Sequence, residues 1–562
     1  MTVRVLLVGG YGTFGGRLAR LLAADRRFCI IIAGRSLDQA AAFCSTLPDG
    51  AERLPLAFDR DGDIEAGLDE ARPDLVIDAA GPFQLYGDDP YRLARACIER
   101  GSSYADLADS ADFVSGIAEL DIAARAAGVF LLSGLSTFPA LSGAVVRELS
   151  RDFEEVTAVR AGVMPSPWAG VGLSVVRAVA SYAGKPLAVR RCGKIAKRYA
   201  LIDSVRRTVA VPGEIPLRNT RFSLAETPDL RLLMAAGDVW TGAGPQPEML
   251  HDALRGLAWL VRLRIVGSLA PLARLLHRAT EVFRWGERRG GMFLEVDGRR
   301  DGRPVSRAWH LSADGDRGPF VPSIGAAAVA RSVALGRLPR PGARAAGGEL
   351  HLTDYAPDFA ALGIATGRWE AVPHDTPLYQ RALGEAWLRL PAPLRAMHAG
   401  GEERVVHGQA KVERGGGLLA WTVAAVMGLP KAGDAVPVEV RFTRRGQGEV
   451  WRRTFAGRSF SSTQELGRGR SERLLVERFG PVAVGMAVVV EQERLRLSIR
   501  RATLFGVPLP PWLRPSCGDT FEHASDGRFN FHVELHAPLA GLVVRYRGWL
   551  GTSAVTDDQR SL

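Results

Sequence analysis

Residues 4–16, Arg-Val-Leu-Leu-Val-Gly-Gly-Tyr-Gly-Thr-Phe-Gly-Gly, decide the fold. The apolar start leads directly into the spacing Gly10-x-Gly12-x-x-Gly15. An amphipathic segment and a second apolar run follow, and the second run ends at Gly34. This order predicts a strand, a glycine-rich turn, a helix and a second strand, which is the unit that binds dinucleotides in many α/β proteins.

Each glycine of the turn has its own physical purpose. Gly10 permits the tight turn, Gly12 lets the backbone approach a pyrophosphate, and Gly15 lets the helix pack closely on the strand. Thr13 and Phe14 lie between them, at the start of the predicted helix. The free N–H groups and the positive dipole end of a helix start favour phosphate. We therefore predict that these five residues bind the phosphates of a dinucleotide.

The residue that follows the second predicted strand indicates which dinucleotide is bound. Turns of this kind are often followed by an acidic residue that accepts a hydrogen bond from the ribose 2′-hydroxyl. Arg35 occupies that place here, and Ser36 follows it. A guanidinium suits a 2′-phosphate, with Ser36 as a further donor, so the sequence favours NADP(H) as cofactor. The alternative is a solvated surface arginine.

Further candidate residues stand at the ends of later predicted strands. Apolar strands alternate with amphipathic helices up to about residue 133, which predicts a parallel sheet with helices on both faces. Ligands of such sheets bind outside the carboxyl ends of the strands. We therefore add Asp59, at the end of the third strand, and Ala80, Gly81 and Pro82, after the fourth, to the predicted cofactor site.

The pattern predicts an α/β protein with three domains. Residues 1–138 form a Rossmann-type, doubly wound parallel sheet. Residues 139–353 form an α+β domain for substrate binding or homodimer formation, with a return to the first sheet left open. Residues 377–551 form a mostly antiparallel β domain, because their alternating runs are short and turn residues separate them.

Composition and charge restrict the class of protein. The chain has 562 residues, of which 47% are hydrophobic, as in ordinary globular proteins. The net charge is +11, but the arginines are scattered and form no basic block with stacking aromatics, which argues against nucleic-acid binding. The five cysteines lie far apart without metal-ligand spacing, so we expect reduced thiols and no metal site. No long uncharged apolar run or signal peptide is evident, and we expect a cytoplasmic location.

Residues 251–285 have an unusual composition, because leucines and arginines alternate there along a helical pattern. A basic amphipathic helix can lie on an anionic membrane surface, so peripheral membrane contact is one interpretation. The other is a helix that packs on its own domain. Pro271 is expected to divide the stretch into two helices.

Several motifs in this order resemble the saccharopine dehydrogenase-like NADP-binding family. The motifs are residues 9–15, 33–36, 79–83, 96–97, 104–107 and 134–139. The resemblance covers the first 150 residues well and implies an NAD(P)-dependent oxidoreductase fold, without implying saccharopine as substrate. The C-terminal region resembles DUF4166, a bacterial domain of unknown function, through residues 407–415, 451–455, 477–481, 506–510 and 546–550. That second family implies no reaction.

A proton carrier should stand near the carboxyl ends of the central strands, because hydride transfer belongs to the cofactor and the protein must move the proton. The candidates for this catalytic position are Tyr86, Tyr104, Asp106 and His310, with Asp109 as a further one. For each, packing or loop bracing is the competing explanation. In the C-terminal region, His532, Glu534 and His536 share one strand face. A metal site and the polar lining of a pocket are possible interpretations of this face, but it fits a solvated sheet surface better.

Two functions remain open from the sequence. The first is an NADP-dependent oxidoreductase that acts on a small or lipid-like substrate. The second is a nucleotide-binding or regulatory protein without turnover, whose C-terminal domain binds a ligand. The glycines and Arg35 favour the first function, and the lack of an obvious catalytic acid favours the second.

Overall fold

The computed structural model of the chain describes residues 2–233 and 236–551. The chain forms two compact units. The first comprises residues 1–206 and 220–366, and the second comprises residues 207–219 and 367–562. The nucleotide-binding fold and most of the middle segment therefore belong to one unit.

The first unit begins with a parallel sheet that alternates with helices. Its elements are β1 (Val3–Val8), α1 (Gly15–Leu22), β2 (Phe28–Gly34), α2 (Leu37–Ser45), β3 (Glu52–Ala57), α3 (Ile64–Ala71), β4 (Leu75–Asp78), α4 (Arg92–Glu99), β5 (Ser103–Asp106), α5 (Ala111–Gly116), α6 (Asp121–Ala126) and β6 (Phe130–Ser133). The strand order is β6-β5-β4-β1-β2-β3. Strands are thus added on one side of β1 up to β3 and on the other side from β4 onward, all in parallel, and the predicted doubly wound parallel sheet is confirmed.

The remainder of this unit adds a second sheet and a group of helices. Its elements are α7 (Ser142–Leu149), β7 (Glu155–Met164), α8 (Leu173–Tyr182), β8 (Pro186–Arg191), β9 (Lys194–Tyr199), β10 (Ser204–Arg207), β11 (Thr220–Leu224), α9 (Asp229–Leu232), β12 (Asp238–Ala243), α10 (Glu248–Arg262), α11 (Ala273–Val282), β13 (Gly290–Arg300), β14 (Arg303–Ala313), α12 (Val321–Ala334), β15 (Gly342–Ala345) and α13 (Leu352–Ala361). The next strand, β16 (Ala365–Glu370), begins in this unit and continues into the second unit. The second sheet is mixed, with β11-β12-β7-β13-β14 in adjacent positions. β15 returns to the first sheet and pairs in parallel with β6.

The two turns at the centre of the first sheet touch each other. Gly9, and not Gly10, has the left-handed backbone of the tight turn, with φ near +73°. A Cβ on Gly9 would lie 2.8 Å from the Cα of Ala80, and a Cβ on Gly15 would lie 2.3 Å from the carbonyl oxygen of Gly9. Glycine at position 15 therefore allows α1 to begin directly against the end of β1.

The basic stretch of residues 251–285 forms α10 and α11, and Pro271 is not where the first helix ends. α10 already ends at Arg262, and Pro271 lies in a short 3₁₀ turn just before α11. One side of both helices packs with α8 in an apolar cluster of Val176, Ala180, Ala258, Val261, Leu269 and Ala273. The other side exposes Trp259 and Leu275. Packing on the protein is thus observed, and membrane contact at this place stays a prediction.

Within its described residues, the second unit is a closed antiparallel barrel with three α-helices. Its elements are α14 (Leu378–Leu383), α15 (Ala392–Met397), β17 (Glu403–Arg414), α16 (Leu418–Val426), β18 (Gly433–Arg445), β19 (Gly448–Phe455), β20 (Arg458–Leu466), β21 (Leu475–Phe479), β22 (Val482–Glu491), β23 (Arg494–Leu504), β24 (Val507–Pro508), β25 (Phe521–Ser525), β26 (Arg528–Ala537) and β27 (Gly541–Gly551). The strand order is β22-β21-β20-β19-β18-β17-β27-β26-β25-β23, and β22 pairs with β23 to close the barrel. The predicted antiparallel β region is confirmed.

The close approach of Gly15 to the carbonyl oxygen of Gly9 leads to a prediction about the stability of the folded chain. Gly15→Ala should destabilise the chain by about 1–3 kcal/mol, because its Cβ would overlap the backbone of Gly9 and force the helix away from the strand. The midpoint of urea unfolding, followed by circular dichroism, measures the change.

The matched control is Gly256→Ala in the middle of α10, where a Cβ would meet nothing within 4 Å. Removing an exposed helical glycine should raise stability by about 0.5–1 kcal/mol. Equal effects of the two substitutions would contradict the steric explanation for Gly15.

Candidate functional site

The glycine turn presents open backbone at the carboxyl edge of the first sheet. Gly12 is exposed, and its N–H donates to the carbonyl of Gly9 at 2.9 Å. Thr13 and Phe14 lead into α1, and the hydroxyl of Ser323 donates to the Phe14 carbonyl at 2.9 Å. These contacts hold the start of α1 in place at this edge, and the start of a helix favours an anion because its first N–H groups lack partners within the helix.

The ends of β2 and β3 lie on one side of the turn. Arg35 is exposed directly after β2. Ser36 caps α2, since its Oγ accepts from the N–H of Gln39 at 3.3 Å, and a hydroxyl that accepts one bond still has its own hydrogen to donate. Asp59 is exposed beyond β3, and its Oδ1 accepts from the N–H of Asp61 at 3.1 Å. Asp59 thus stabilises its own turn at the predicted edge.

The turn after β4 lies on the other side of the glycine turn. Ala80 donates its N–H to Asp78 Oδ1 at 2.9 Å, and Gly81 and Pro82 follow it. The Tyr86 hydroxyl donates to the same carboxylate at 3.1 Å, and the Arg60 guanidinium carbon lies 3.3 Å from the centroid of the Tyr86 ring. Burial and the Asp78 carboxylate raise the pKa of Tyr86. Tyr86 is therefore held firmly next to this turn in its protonated form.

Asp106, predicted as a catalytic candidate, braces two strand ends. Its Oδ1 accepts from the N–H of Gly134 at 2.7 Å, the N–H of Ala108 at 3.0 Å and the hydroxyl of Ser133 at 3.0 Å. The side chain is fully buried, and burial raises the pKa of the Asp106 carboxyl to about 7. These bonds connect the end of β5 to the end of β6, so the Asp106 side chain stabilises the sheet at this edge.

Two other catalytic candidates lie inside the protein rather than at an open site. Tyr104 is 1% exposed in the apolar core beside Val76 and Cys97, and burial raises its pKa well above the ordinary value. His310 is 2% exposed on β14, opposite Phe293 of β13. Neither belongs to the residues that line the cavity described next. Both side chains lack the surface that a substrate would need.

A cavity of about 740 Å³ opens beside the ends of β4 and β5. Its lining comes from the segment after β4, the start of α5, the end of α8, β8 and the segment around α9. Polar residues that line it are Gln84, Tyr86, Tyr91, Ser110, Asp112, Ser181, Tyr182, Lys185, Glu226, Thr227 and Arg231. Its volume lies within the range of about 300–1,000 Å³ that is typical of small-molecule sites.

Four of the polar side chains in and beside this cavity form an interacting group. Gln84 donates to Asp109 Oδ1 at 3.1 Å, and Glu226 Oε1 accepts from the N–H of Ala111 at 3.0 Å. Burial is the main cause that raises the pKa of the half-buried Glu226, and the Asp109 carboxylate raises it further. Burial and these two carboxylates also raise the pKa of Tyr182. The buried Gln84 Oε1 has no hydrogen-bond partner in the described residues.

Sequence reasoning found Asp109 but missed Tyr182 and Glu226. Tyr182 is the last residue of α8, Glu226 lies in the connection between β11 and β12, and neither belongs to a motif. Their separation from Gln84 by about 100 and 140 positions leaves no local signal. The sequence feature that could have indicated Glu226 is a carboxylate shortly after an apolar strand, β11.

The three C-terminal residues that share a strand face are hydrogen-bonded to one another. Glu534 accepts from His532 at 3.2 Å, from His536 at 3.3 Å and from Arg545 Nε at 2.6 Å. These donors outweigh the effect of burial and lower the pKa of Glu534 to about 2. Across residues 2–233 and 236–551, no group of three or more His, Cys, Asp or Glu side chains is arranged to hold a metal ion.

Comparison with protein families identifies two regions. Residues 5–132 match the family model described as Saccharopine dehydrogenase NADP binding domain. Residues 390–550 match the model described as Domain of unknown function (DUF4166). Both family resemblances are confirmed. No curated protein sequence matches the chain significantly.

Several solved dehydrogenase structures are similar to parts of this chain at low sequence identity and low TM-score. Apo saccharopine dehydrogenase (L-Glu forming) from Saccharomyces cerevisiae is 15% identical, with 66% of this chain and 99% of that chain covered and a TM-score of 0.45. A probable dehydrogenase from Thermotoga maritima is 10% identical, with 65% and 98% covered and a TM-score of 0.32. Sequence identities and TM-scores this low do not assign an activity to this chain. Among the described helices, none has both the length and the apolar character needed to span a bilayer.

The buried Asp106 makes a prediction about pH. Its pKa of about 7 in the folded chain exceeds the value of about 3.9 for an unfolded aspartate, so the folded state favours the protonated form. The protonated Asp106 carboxyl therefore adds to the free energy of unfolding, and this contribution is complete below about pH 4. As the pH rises towards 7 the contribution is lost, by up to about 4 kcal/mol. Asp106→Asn, which cannot ionise, should flatten this part of the stability curve measured by urea unfolding at several pH values.

Asp49→Asn is the control, because the Asp49 side chain is fully exposed on the same sheet domain. Its stability curve should follow that of the parent. If the slopes of the parent and Asp106→Asn coincide between about pH 4 and 7, the buried carboxyl does not titrate as its environment indicates.

Proposed function

We propose that the chain is an NADP(H)-dependent oxidoreductase that acts on a small or lipid-like substrate in the cavity beside β4 and β5. The observation that carries the proposal is the order of features along one sheet edge. Arg35 follows β2, the open turn of Gly12 follows β1, and the cavity with Glu226 lies beside the ends of β4 and β5. A dinucleotide laid across the point where the strand order reverses would meet all three in sequence.

The residues at this edge fit such a cofactor. Gly12 is exposed and carries no side chain where a pyrophosphate would contact the backbone. Arg35 would hold a 2′-phosphate, and Gly81 and Pro82 would adjoin the other end of the molecule. A bound nicotinamide would supply or accept a hydride. The description of the family matched by residues 5–132 also names NADP.

The protein must hold the substrate and move one proton. Glu226 suits the proton transfer best, because its raised pKa lets the carboxyl keep a proton closer to neutral pH. Tyr182 is a weaker acid, since burial and two carboxylates raise its pKa. The unpartnered Gln84 Oε1 can accept a hydrogen bond from a substrate hydroxyl or amine. We infer that Gln84 orients the substrate and that Glu226 exchanges the proton.

The second candidate function is a nucleotide-binding protein without turnover, whose C-terminal domain binds a ligand. A large apolar cavity inside the barrel favours the ligand-binding part of this alternative. Oxidation of NADPH with a panel of aldehydes, ketones, 2-oxo acids and imines distinguishes the two. Tight NADPH binding without any oxidation across the panel would favour the second function.

The cofactor proposal predicts the effect of one charge change. Arg35→Asp should weaken NADPH binding by roughly 100-fold or more, because charge-assisted hydrogen bonds contribute about 1.5–3 kcal/mol each. NADH binding should be unchanged or improved, since an aspartate can accept from the 2′-hydroxyl. Isothermal titration with both cofactors measures the two affinities.

Arg26→Asp is the matched control, because Arg26 is exposed near the amino end of the same strand, β2. It makes the same charge change away from the proposed site and should leave both affinities near those of the parent. Equal loss of NADPH and NADH affinity in Arg35→Asp would contradict the specificity of Arg35.

The proposed proton carrier makes a separate prediction. Glu226→Gln keeps an oxygen for the N–H of Ala111 but cannot carry the proton, so kcat should fall by about 10²–10⁴-fold. NADPH affinity should not change. Asp112→Asn is the control, since Asp112 lines the same cavity but is largely exposed beside Arg231. A parent-like kcat in Glu226→Gln would remove Glu226 from the mechanism.

A further inference from the structure

The C-terminal barrel encloses a cavity whose surface is almost entirely apolar. Its volume is about 360 Å³, within the range of small-molecule sites. Most of the lining is contributed by large aliphatic and aromatic side chains, among them Val440, Phe455, Val484, Leu497 and Phe531. An apolar cavity of this size favours a ligand with a hydrocarbon body over a water-soluble one.

One end of the barrel is closed by a stack of side chains. Tyr379 of α14 stacks on His398, with ring centroids 3.8 Å apart, and His398 stacks on Trp451 at 5.9 Å. The Tyr379 hydroxyl donates to Gln464 Oε1 at 3.1 Å, and His398 Nε2 lies 2.6 Å from Glu522 Oε2. A ligand therefore has to enter from the opposite end.

The charged groups that line the cavity already have partners. Arg453 is the one Lys or Arg among the described lining residues, and it donates to Glu477 at 3.0 Å. Glu522 is paired with His398, and Glu534 accepts from Arg545. With no unpaired cation in the lining, the interior has nothing to neutralise a carboxylate or phosphate. The matching ligand is uncharged.

The strand registers place several connections together at the open end. The carboxyl ends of β17, β19, β21, β23 and β26 lie next to the starts of β18, β20, β22 and β27. The connections at this rim are residues 415–432 with α16, 456–457, 480–481, 505–515 and 538–540. We call this group of connections the rim.

The rim exposes large apolar side chains to solvent. They are Leu418, Leu419, Trp421, Val426, Phe505, Val507, Trp512 and Leu539, and the two tryptophans are 64% and 73% exposed. The same connections turn other residues inward, since Val423, Met427, Leu509 and Leu513 line the cavity. An exposed apolar group that is continuous with the entrance of an apolar cavity marks an interaction surface.

The charge of the rim indicates its partner. Its connections contain Lys431 and Arg514 but no aspartate or glutamate, and the exposed Arg458 starts β20 beside them. The carboxylate at the start of β18, Asp434, is paired with Lys411 at 2.9 Å. Tryptophan and leucine side chains together with unopposed cations are typical of surfaces that bind anionic membranes.

We propose that the barrel docks through its rim on an anionic membrane surface and takes up one uncharged long-chain lipid into its cavity. Trp421 and Trp512 insert among the lipid headgroups, Lys431 and Arg458 attract the anionic surface, and the lipid chain passes between α16 and the 505–515 connection. This proposal does not depend on the oxidoreductase function, because every residue that carries it belongs to the second unit.

The docking step is tested with the full chain and vesicles. At low ionic strength, the parent should float with vesicles of phosphatidylcholine and phosphatidylglycerol and bind pure phosphatidylcholine more weakly. The double variant Trp421→Gln, Trp512→Gln should reduce binding roughly tenfold or more. Trp549→Gln is the matched control, because Trp549 is exposed on the same barrel near the end of β27, away from the rim.

Three results would overturn the docking step. These are a parent that does not bind anionic vesicles, a loss of binding in Trp549→Gln equal to that in the rim variant, and a loss confined to Trp285→Gln. Trp285 is exposed at the end of the basic stretch of the first unit, so the last result would assign membrane binding to that stretch.

The uptake step has its own readout. The uncharged probe N-phenyl-1-naphthylamine should bind saturably with one site per chain, and decanol should displace it better than decanoate does. Val484→Phe places extra volume in the cavity and should weaken probe binding without changing vesicle flotation or the circular dichroism spectrum. Because Val484→Phe could alter folding, the parent's stoichiometry and its preference for decanol are independent tests. Non-saturable binding, or a preference for decanoate, would overturn the proposal.

Discussion

The geometry of the nucleotide fold depends on one close approach between backbones. The carbonyl of Gly9 occupies the space that a side chain at position 15 would need, with only 2.3 Å to the place of its Cβ. This contact seats α1 against β1, and the second contact, between Gly9 and Ala80, seats the turn after β4 against the first turn. The edge on which a dinucleotide would lie, and the cavity beside it, follow from these two contacts.

The cavity beside β4 and β5 and the cavity inside the barrel differ in the chemistry of their linings. The cavity beside β4 and β5 contains Glu226, whose ionisation is opposed by burial, and its Gln84 keeps an acceptor without a partner in the described residues. Such an environment suits proton transfer to a polar reacting group. The barrel interior pairs its few charges internally and leaves hydrocarbon elsewhere, which suits a ligand recognised by shape and apolar area.

Three of the catalytic candidates expected from the sequence are buried inside the protein, and what covers the side chain differs from one to the next. Asp106 stands at the predicted strand end, but three donors, from β6 and from the turns after β5 and β6, use its Oδ1. Tyr104 alternates inward on β5 and packs in the core, and His310 is covered on β14. Position at a strand end was predictable from the sequence. Which way the side chain points, and what covers it, depends on residues far away in the chain.

The sequence by itself determined the parts of this protein that local periodicity and glycine spacing specify. These are the doubly wound sheet, the turn of Gly12 and Gly15, the place of Arg35 and the antiparallel character of the C-terminal region. Such features need only neighbours within about 30 residues, so they leave a readable pattern. Tertiary structure alone decided that Glu226 approaches Ala111 and that β22 pairs with β23 to close a barrel around an apolar cavity. Those decisions come from long-range packing, in which the free energy of burying a side chain depends on partners that no local pattern identifies.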